Sequence, residues 1–535
     1  MEIQDINFSD LSFSTLYRDF TTHFEKLHEF YEVNPFSEDQ LKELVKGKTF
    51  HGNRDQLVNN LISFNEPFGL HSAALENLES LRDPDTLTVA TGQQMTVYGG
   101  PLFTVYKTIT TILQAQFLSK ATGKKVIPVF WLADEDHDYE EASAIKIPQG
   151  DTIKSIKLPD RENRKSVGRI DVSDSFREFR DEVKASLPET DFSADLWELL
   201  DDAYRDGRLK DGFARLLSAL FSKHGLIMAG SDYGPFKQSL KRPIQTAIEK
   251  AGIIHDALNQ QSSLLEQKFH RQAQIQGTTL FLHDEQQGRI RLNNTNGSWK
   301  SDSGYQWSSE ELVEIAKNQP QQFSPNVFLR PILQDYLLPN IAYIGGPAEI
   351  AYYGQMRSVY PIFGMKMPAI VPRMSATLVE SSINRILHQL PFEFHEYGRR
   401  IEDLEKAYIE KLGHGEVDEL FADWKEEINS ISEEYTEYIA EYDVSLKGSA
   451  GKETVSYLKS IDKLQQKLKR SIKQKEEIQL NRIRKIQHHL FPNGVLQERE
   501  VSILYFMNKY GTGIWDDILT NLDHPQFDRH KLISL

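Results

Sequence analysis

Cysteine is absent from all 535 residues. That excludes disulfides, thiolate-bound zinc, iron–sulfur clusters and thiol nucleophiles, and leaves any metal to His, Asp or Glu. Long apolar runs are missing as well: no stretch reaches the roughly 18 residues of a membrane-spanning helix. The opening residues Met1-Glu2-Ile3-Gln4-Asp5 lack the apolar centre of an export signal. A cytoplasmic protein with no membrane contact is expected. Positive charge is in the minority, with 62 Lys and Arg against 78 Asp and Glu and a net charge of −16. Broad nucleic-acid binding needs the opposite balance, so no nucleic-acid partner is expected. What remains, 39% hydrophobic and 26% charged, is the composition of a globular chain long enough for about three domains.

The most informative stretch is Val126–Asp138, where an apolar run including Phe130, Trp131 and Leu132 gives way to Asp134-Glu135-Asp136-His137-Asp138. A bounded run of Val, Ile and Phe fits a strand buried on both faces. In an open α/β sheet, ligands sit beyond the carboxyl ends of such strands. Upstream, Leu87–Ala90 is a second short strand, followed by Thr91-Gly92-Gln93-Gln94, then Gly99-Gly100-Pro101, then a helical pattern from Leu102 to Leu113. This is a strand, glycine loop, helix, strand unit, half of a doubly wound fold. Glycines before a helix start let backbone N–H groups approach an anion, and Gly99–Pro101 is expected to do so. The loop is neither a phosphate-binding P-loop, since the Walker lysine is missing, nor the dinucleotide fingerprint, whose glycine spacing differs.

Two further strand ends carry polar residues. Leu226–Asp232 is apolar until Gly230-Ser231-Asp232, and Ile341–Ile344 runs into Gly345-Gly346-Pro347 with Glu349, Tyr352 and Gln355 on the helix beyond. Ala369–Val371 resumes the sheet. Between these strands, alternation at Ile145–Ile147 and Ile153–Leu158, and again at Thr278–Leu282 and Gly288–Leu292, predicts two hairpins inserted into the sheet, with Arg161–Arg169 as basic loop. Residues 1–84 look helical, and His51 and His71 there read as surface or packing residues.

Past residue 390, Val417, Phe421, Trp424, Ile428, Ile431, Tyr435, Tyr438 and Tyr442 keep a 4,3 heptad seam in an acidic arm. Gly448–Gly451 is expected to break it, before a basic arm with Ile461, Leu464, Leu468 and Ile472. Opposite charges on consecutive arms predict an antiparallel hairpin, and its aromatic residues suggest self-association.

Residue chemistry alone leaves the acidic cluster open. It could hold Mg²⁺ with a nucleotide, bind a substrate amine, form a hydrolytic metal centre with His137, or cap the next helix as a solvated loop. No metal ligand is assigned.

Several blocks together resemble the bacillithiol biosynthesis cysteine-adding enzymes, the BshC family of cysteine ligases. They are Thr91–Gln94 with Gly100–Thr104, Phe130–Asp138, Ser324-Pro325-Asn326 to Arg330-Pro331, Gly345–Pro347 with Glu349 and Tyr352, and Leu490–Gly494 with Leu496–Arg499. The likeness runs from about residue 85 to the end. It implies an α/β, Rossmann-like core similar to class I aminoacyl-tRNA synthetases, interrupted by connecting-peptide insertions and carrying a coiled-coil arm that promotes a homodimer. The implied reaction joins the carboxyl of cysteine to the amine of glucosaminyl-malate.

On that resemblance the expected layout is a helical segment over 1–84 packing on the core, and a Rossmann-like core over 85–390 with insertions at about 145–215 and 270–325. A coiled-coil hairpin over 391–490 and a C-terminal helical segment over 491–535 docking on the core complete it. Asp134, Asp136 and His137 are the candidate catalytic residues. Thr91, Gly92, Gln93, Gln94, Gly99, Gly100, Trp131, Asp138, Gly345, Gly346, Glu349 and Tyr352 would bind substrate. Asn493, Gly494, Gln497 and Arg499 would form a second, nucleotide-sized pocket. By analogy with the synthetases, ATP or ADP with Mg²⁺ would serve to activate the carboxyl. The His-x-Gly-His and Lys-Met-Ser-Lys-Ser signatures that handle ATP there are absent, and Arg373-Met374-Ser375-Ala376 is only a faint echo of the second. The competing classes are a metal-dependent hydrolase built on Asp134–Asp138 and a non-catalytic ligand-binding coiled-coil dimer.

Overall fold

The computed structural model describes the whole chain except residues 51, 160–165, 173, 285–287, 296, 302–303, 415 and 523–526. His51 and most of the basic stretch Arg161–Arg169 thus lie outside the described residues. The chain forms two compact units, Met1–Thr377 with Gln497–Ile533, and Leu378–Leu496 with Ser534–Leu535.

The larger unit is organised around five strands: β1 (Leu87–Gln93), β2 (Val126–Leu132), β3 (Ile227–Gly230), β4 (Asn340–Gly345) and β5 (Ala369–Pro372). Every pairing is parallel, in the order β3-β2-β1-β4-β5. This is the Rossmann half-sheet order, and it reverses direction between β1 and β4. The apolar runs become these strands because both faces are covered, which leaves no room for polar alternation. On one face Leu118 and Ala115 of α1 (Phe103–Thr122) and Leu41 and Val45 of helix Glu38–Gly47 pack against Val89, Val126, Ile344 and Val371. The registers place Gln93 beside Leu132, Leu132 beside Gly230, and Gly345 beside Pro372. The strand ends are therefore level, and the polar residues after them share one rim.

Two antiparallel pieces interrupt the sheet. A hairpin, Ala144–Gln149 with Thr152–Lys157, follows β2. A five-stranded sheet beginning at Leu280–Asp284 and closed by Phe323–Pro325 lies between β3 and β4.

The glycine loop differs from expectation. Helix α1 begins at Phe103, one residue from the expected start, but the loop before it is stitched to the returning C-terminal segment. Leu102 N–H donates to the Val501 carbonyl, Ile503 N–H donates to Gly100, and Pro101 pairs with Ser502. Gly99 and Gly100 have φ of +81° and +70°. A Cβ on Gly99 would strike Ile503 Cδ1, and one on Gly100 would press on Thr96. These glycines serve a left-handed turn and close packing, not an anion.

In the smaller unit, α4 (Glu416–Tyr442) and α5 (Lys447–Lys475) form an antiparallel pair. The turn is Asp443–Leu446, closed by Asp443 accepting from Ser445 N–H and Oγ. Gly448 and Gly451 lie inside α5, so they are not the break that composition suggested. Salt bridges Asp418–Lys469 (2.5 Å), Glu437–Lys447 (2.6 Å) and Lys425–Asp462 (2.7 Å) mark the register, the last reversed in sign. At the surface such pairs contribute little energy and mainly select the alignment.

The covered face of α4 is Val417, Phe421, Lys425, Ile428, Ser432, Thr436 and Ala440, spaced 4, 4, 3, 4, 4 and 4 rather than by heptads. The heptad seam drifts off that face. Ile431, Tyr435, Tyr438 and Tyr442 are more than half exposed.

Candidate active site

A cavity of about 590 Å³ opens where the strand order reverses. All five strand ends reach it: Gly92–Gln94 at the end of β1, Ala133, Glu135 and Asp136 after β2, Ser231 after β3, Gly346–Glu349 after β4 at the start of α3 (Pro347–Tyr353), and Arg373 after β5. The second insertion closes one side with Phe281, Arg289, Pro325 and Val327, and Arg499 enters from the C-terminal segment. The Thr91, Asp134 and Gly345 regions, far apart in sequence, thus converge on one hollow.

Its floor is a buried ionic knot. Lys107, from α1, donates to the Gly92 carbonyl (2.7 Å) and Gln93 Oε1 (2.9 Å) and is ion-paired with Glu349 Oε2. Glu349 also accepts from Gly346 N–H (2.8 Å) and from the Tyr343 hydroxyl (2.5 Å). Burial alone would raise its pKa, but Lys107, the Gly346 N–H and Tyr343 together outweigh it and hold Glu349 below the usual carboxylate range. Beside it, Arg373 donates to Glu498 Oε1 (2.7 Å), and Glu498 accepts the Ala376 N–H (2.9 Å). Glu498 thereby holds Arg373 in place.

Arg330 stands apart. It projects from the first turn of α2 (Leu329–Leu337), which Asn326 caps by accepting from Phe328 and Leu329 N–H at 3.0 Å. Its guanidinium donates to the Tyr352 hydroxyl (2.6 Å) and lies 5.7 Å from the Tyr343 ring centre. Among the described residues no carboxylate lies within salt-bridge distance of it. A half-buried guanidinium that lines a cavity with no carboxylate in salt-bridge contact, Glu349 attracting it only from further off, is a receptor for a carboxylate or phosphate.

The acidic cluster divides. Asp136 lines the cavity; its carboxylate accepts from Gln94 Nε2 (2.7 Å) and from the N–H groups of His137 and Asp138. Asp134 does not reach the cavity. It is fully buried, accepting from Ser231 N–H and Oγ (both 3.1 Å) and Asp232 N–H (3.0 Å), which ties the end of β2 to the end of β3. His137 turns its Nδ1 to the Glu135 carbonyl at 3.0 Å and is not part of the lining. Asp138 caps the short helix Tyr139–Ala142 through Glu141 N–H. Asp134 and His137 are therefore not placed as the catalytic residues they were expected to be. No three of these side chains converge on a metal-sized point among the described residues, which disfavours the hydrolase reading.

Of the other expected binding residues, Gly92, Gln93, Gln94, Gly346, Glu349 and Tyr352 line the cavity. Thr91, Trp131 and Gly345 are buried strand residues, and Thr91 Oγ1 donates to the Ile344 carbonyl (2.9 Å). Gly99 and Gly100 are spent on the C-terminal stitch. Arg499 lines this cavity rather than a pocket of its own, and Gln497 is buried; Asn493 and Gly494 form a left-handed turn in the smaller unit. Lys107, Arg289, Arg330 and Arg373 were not assigned to the site from sequence, and Glu135 was named only within the acidic cluster, without a role of its own. Arg330 and Arg373 sat in blocks already quoted, and a cation near a strand end was the available signal.

Burial pushes the Asp134 carboxyl up to about 7, with the Asp232 charge adding to it. An unfolded aspartate titrates near 4. The folded state therefore binds this proton more tightly, and the stability it contributes is lost as pH rises from about 4 through 7. Asp134→Asn should flatten that decline, read from urea midpoints at pH 5 and pH 8.

A Rossmann-like sheet whose level strand ends surround a polar, partly cationic cavity defines a doubly wound α/β domain with a strand-end site. The chain belongs to the bacillithiol biosynthesis BshC family: the sequence model of its N-terminal Rossmann-like domain matches residues 1–374, and that of its C-terminal coiled-coil domain matches 376–535. A Salinibacter ruber protein named "Putative cysteine ligase BshC" is 31% identical over 514 residues, spanning 95% of this chain and 94% of its own length. A Bacillus cereus protein of the same name is 30% identical over 491 residues, 90% of this chain and 91% of its own.

Proposed function

We propose that this protein is a cytoplasmic cysteine ligase that forms an amide between the carboxyl of cysteine and the amine of glucosaminyl-malate, giving bacillithiol. The observation that carries this reading is the Arg330 guanidinium in the cavity at the switch point, without a salt-bridge partner among the described residues, in a lining that also holds carboxylates. An acceptor that carries both carboxylates and an amine matches a lining that holds both guanidinium groups and carboxylates. Arg330 and Arg499 would take the malate carboxylates, while Glu135 and Asp136 would face the amine. Gln94 holds Asp136, and the Lys107–Glu349 pair sets the floor.

A carboxylate and an amine do not condense unaided in water, so an activating co-substrate is part of the proposal, with ATP and Mg²⁺ the natural choice. The test is to incubate the protein with cysteine, glucosaminyl-malate and ATP and follow product and nucleotide by mass spectrometry. The expected product has the summed mass less one water, with nucleotide cleaved in step. Absence of that product would sink the reading, and product without nucleotide cleavage would sink the ATP part alone.

The working form is proposed to be a homodimer through the coiled coil. In support, Trp424, Ile431, Tyr435, Tyr438 and Tyr442 leave an exposed apolar stripe along α4. Ile431→Glu with Tyr435→Glu should convert dimer to monomer in light scattering while leaving helix content unchanged.

A further inference from the structure

Four carboxylates line the cavity: Glu135, Asp136, Glu141 and Glu349. They differ in what already occupies their oxygens. Both oxygens of Glu349 are engaged by Lys107, Tyr343 and Gly346, which keeps it a fixed anion with little use for a proton. Asp136 accepts from Gln94 on one oxygen and from two backbone N–H groups on the other. Glu141 is on the solvent side, exposed on the short helix after Asp138. Glu135 is different. Its Oε1 accepts from Lys237 Nζ at 2.6 Å, and its Oε2 is buried with no hydrogen-bond partner among the described residues.

The Lys237 ammonium is itself buried and is held by a second bond, 2.7 Å to the Phe323 carbonyl. One oxygen of Glu135 is thus clamped, and with it the plane of the carboxylate. Oε2 is covered by its neighbours, so a ligand reaches it only when those side chains shift; a buried carboxylate oxygen left without a donor is costly, and a ligand that moves them aside supplies the missing donor.

Resting on the ligase reading, we infer that Glu135 Oε2 is the catalytic base that receives the proton of the attacking amine. The neutral amine attacks the carbonyl carbon of an activated cysteinyl group, a mixed anhydride of the carboxyl with phosphate derived from a nucleoside triphosphate. As the C–N bond forms, the nitrogen becomes cationic and passes one proton to Oε2. The C–O bond to the phosphate then breaks, its electron pair leaving on oxygen, and the amide remains. The Lys237 charge keeps Oε1 anchored while Oε2 alternates between base and acid. Asp134 and His137 take no part, because neither reaches the cavity.

The test uses the full chain. Glu135→Gln keeps the Lys237 hydrogen bond but cannot take a proton. It should lower kcat by about a hundredfold or more, with KM changed only a few-fold. Because it leaves the buried Lys237 ammonium without its counter-ion, the thermal midpoint falls as well, so rates are compared well below the variant's own midpoint. Glu135→Ala should be comparably slow and should recover turnover on addition of formate, a small diffusible base, whereas Glu135→Gln should not respond. Glu135→Gln retaining kcat within about threefold, or Glu141→Gln losing more kcat than Glu135→Gln, would overturn the assignment while the ligase reading stands. An inactive wild-type chain would overturn both.

Discussion

Arg330→Gln is expected to reduce kcat/KM for glucosaminyl-malate by about a hundredfold or more, mostly through KM. The guanidinium enters the cavity without a carboxylate partner, so the charge is available to a ligand. Truncating one member of a buried, hydrogen-bonded charge pair costs about 2–5 kcal/mol. Because every 1.4 kcal/mol is tenfold, the lower half of that range already corresponds to the expected loss. Lysine at this position should recover only part, since a point-like ammonium cannot form the forked contact of a guanidinium. An amine acceptor that lacks the carboxylates should be used equally by both proteins. If Arg330→Gln slowed that neutral acceptor as much, the residue would be structural rather than a ligand for the anion.

Lys107→Met is expected to destabilise the larger unit by about 3–5 kcal/mol, the usual result of stranding one half of a buried ion pair. The side chains of Lys107 and Glu349 are only 4% and 17% exposed. Without Lys107, Glu349 would keep its charge in a low-dielectric floor, and the Gly92 carbonyl would lose its donor. Adding Glu349→Gln to Lys107→Met should restore most of the loss, because the second change removes the uncompensated charge. Urea denaturation of the two single variants and the double variant measures the coupling. Equal and additive losses would show that the pair does not act as a unit.

The parallel sheet was readable because a strand buried on both faces must be apolar throughout, so its ends fall where the apolar run stops. Val126–Leu132 and residues 341–344 are such runs, and the polar residues beyond them do meet in one cavity. Which side chains face that cavity was not readable. Asp134 and Glu135 are neighbours in sequence, yet one is turned into the protein by Ser231 and the other toward the cavity by Lys237, partners 97 and 102 positions away. The glycine loop misled for the same reason. Its N–H groups looked free to bind an anion until Val501 and Ile503 came back to fill the space.

The coiled coil gives the complementary lesson. The apolar heptad was correctly visible as a helical stripe, but the face α4 covers leaves the heptad after Ile428, and the stripe is left partly outside it.

By itself, then, the order of residues determined the periodicities: a sheet of buried runs, an arm of two long helices, and the family. Those are consequences of local burial, repeated every two or 3.6 residues, and need no knowledge of distant partners. Tertiary structure alone decided that Arg330 is left without a salt-bridge partner among the described residues, that Glu349 is neutralised by Lys107, and that Asp134 is a tie rather than a catalyst. Each of these depends on which charge arrives at a given point from a far part of the chain, and electrostatic roles are fixed by distance in space rather than by position in sequence.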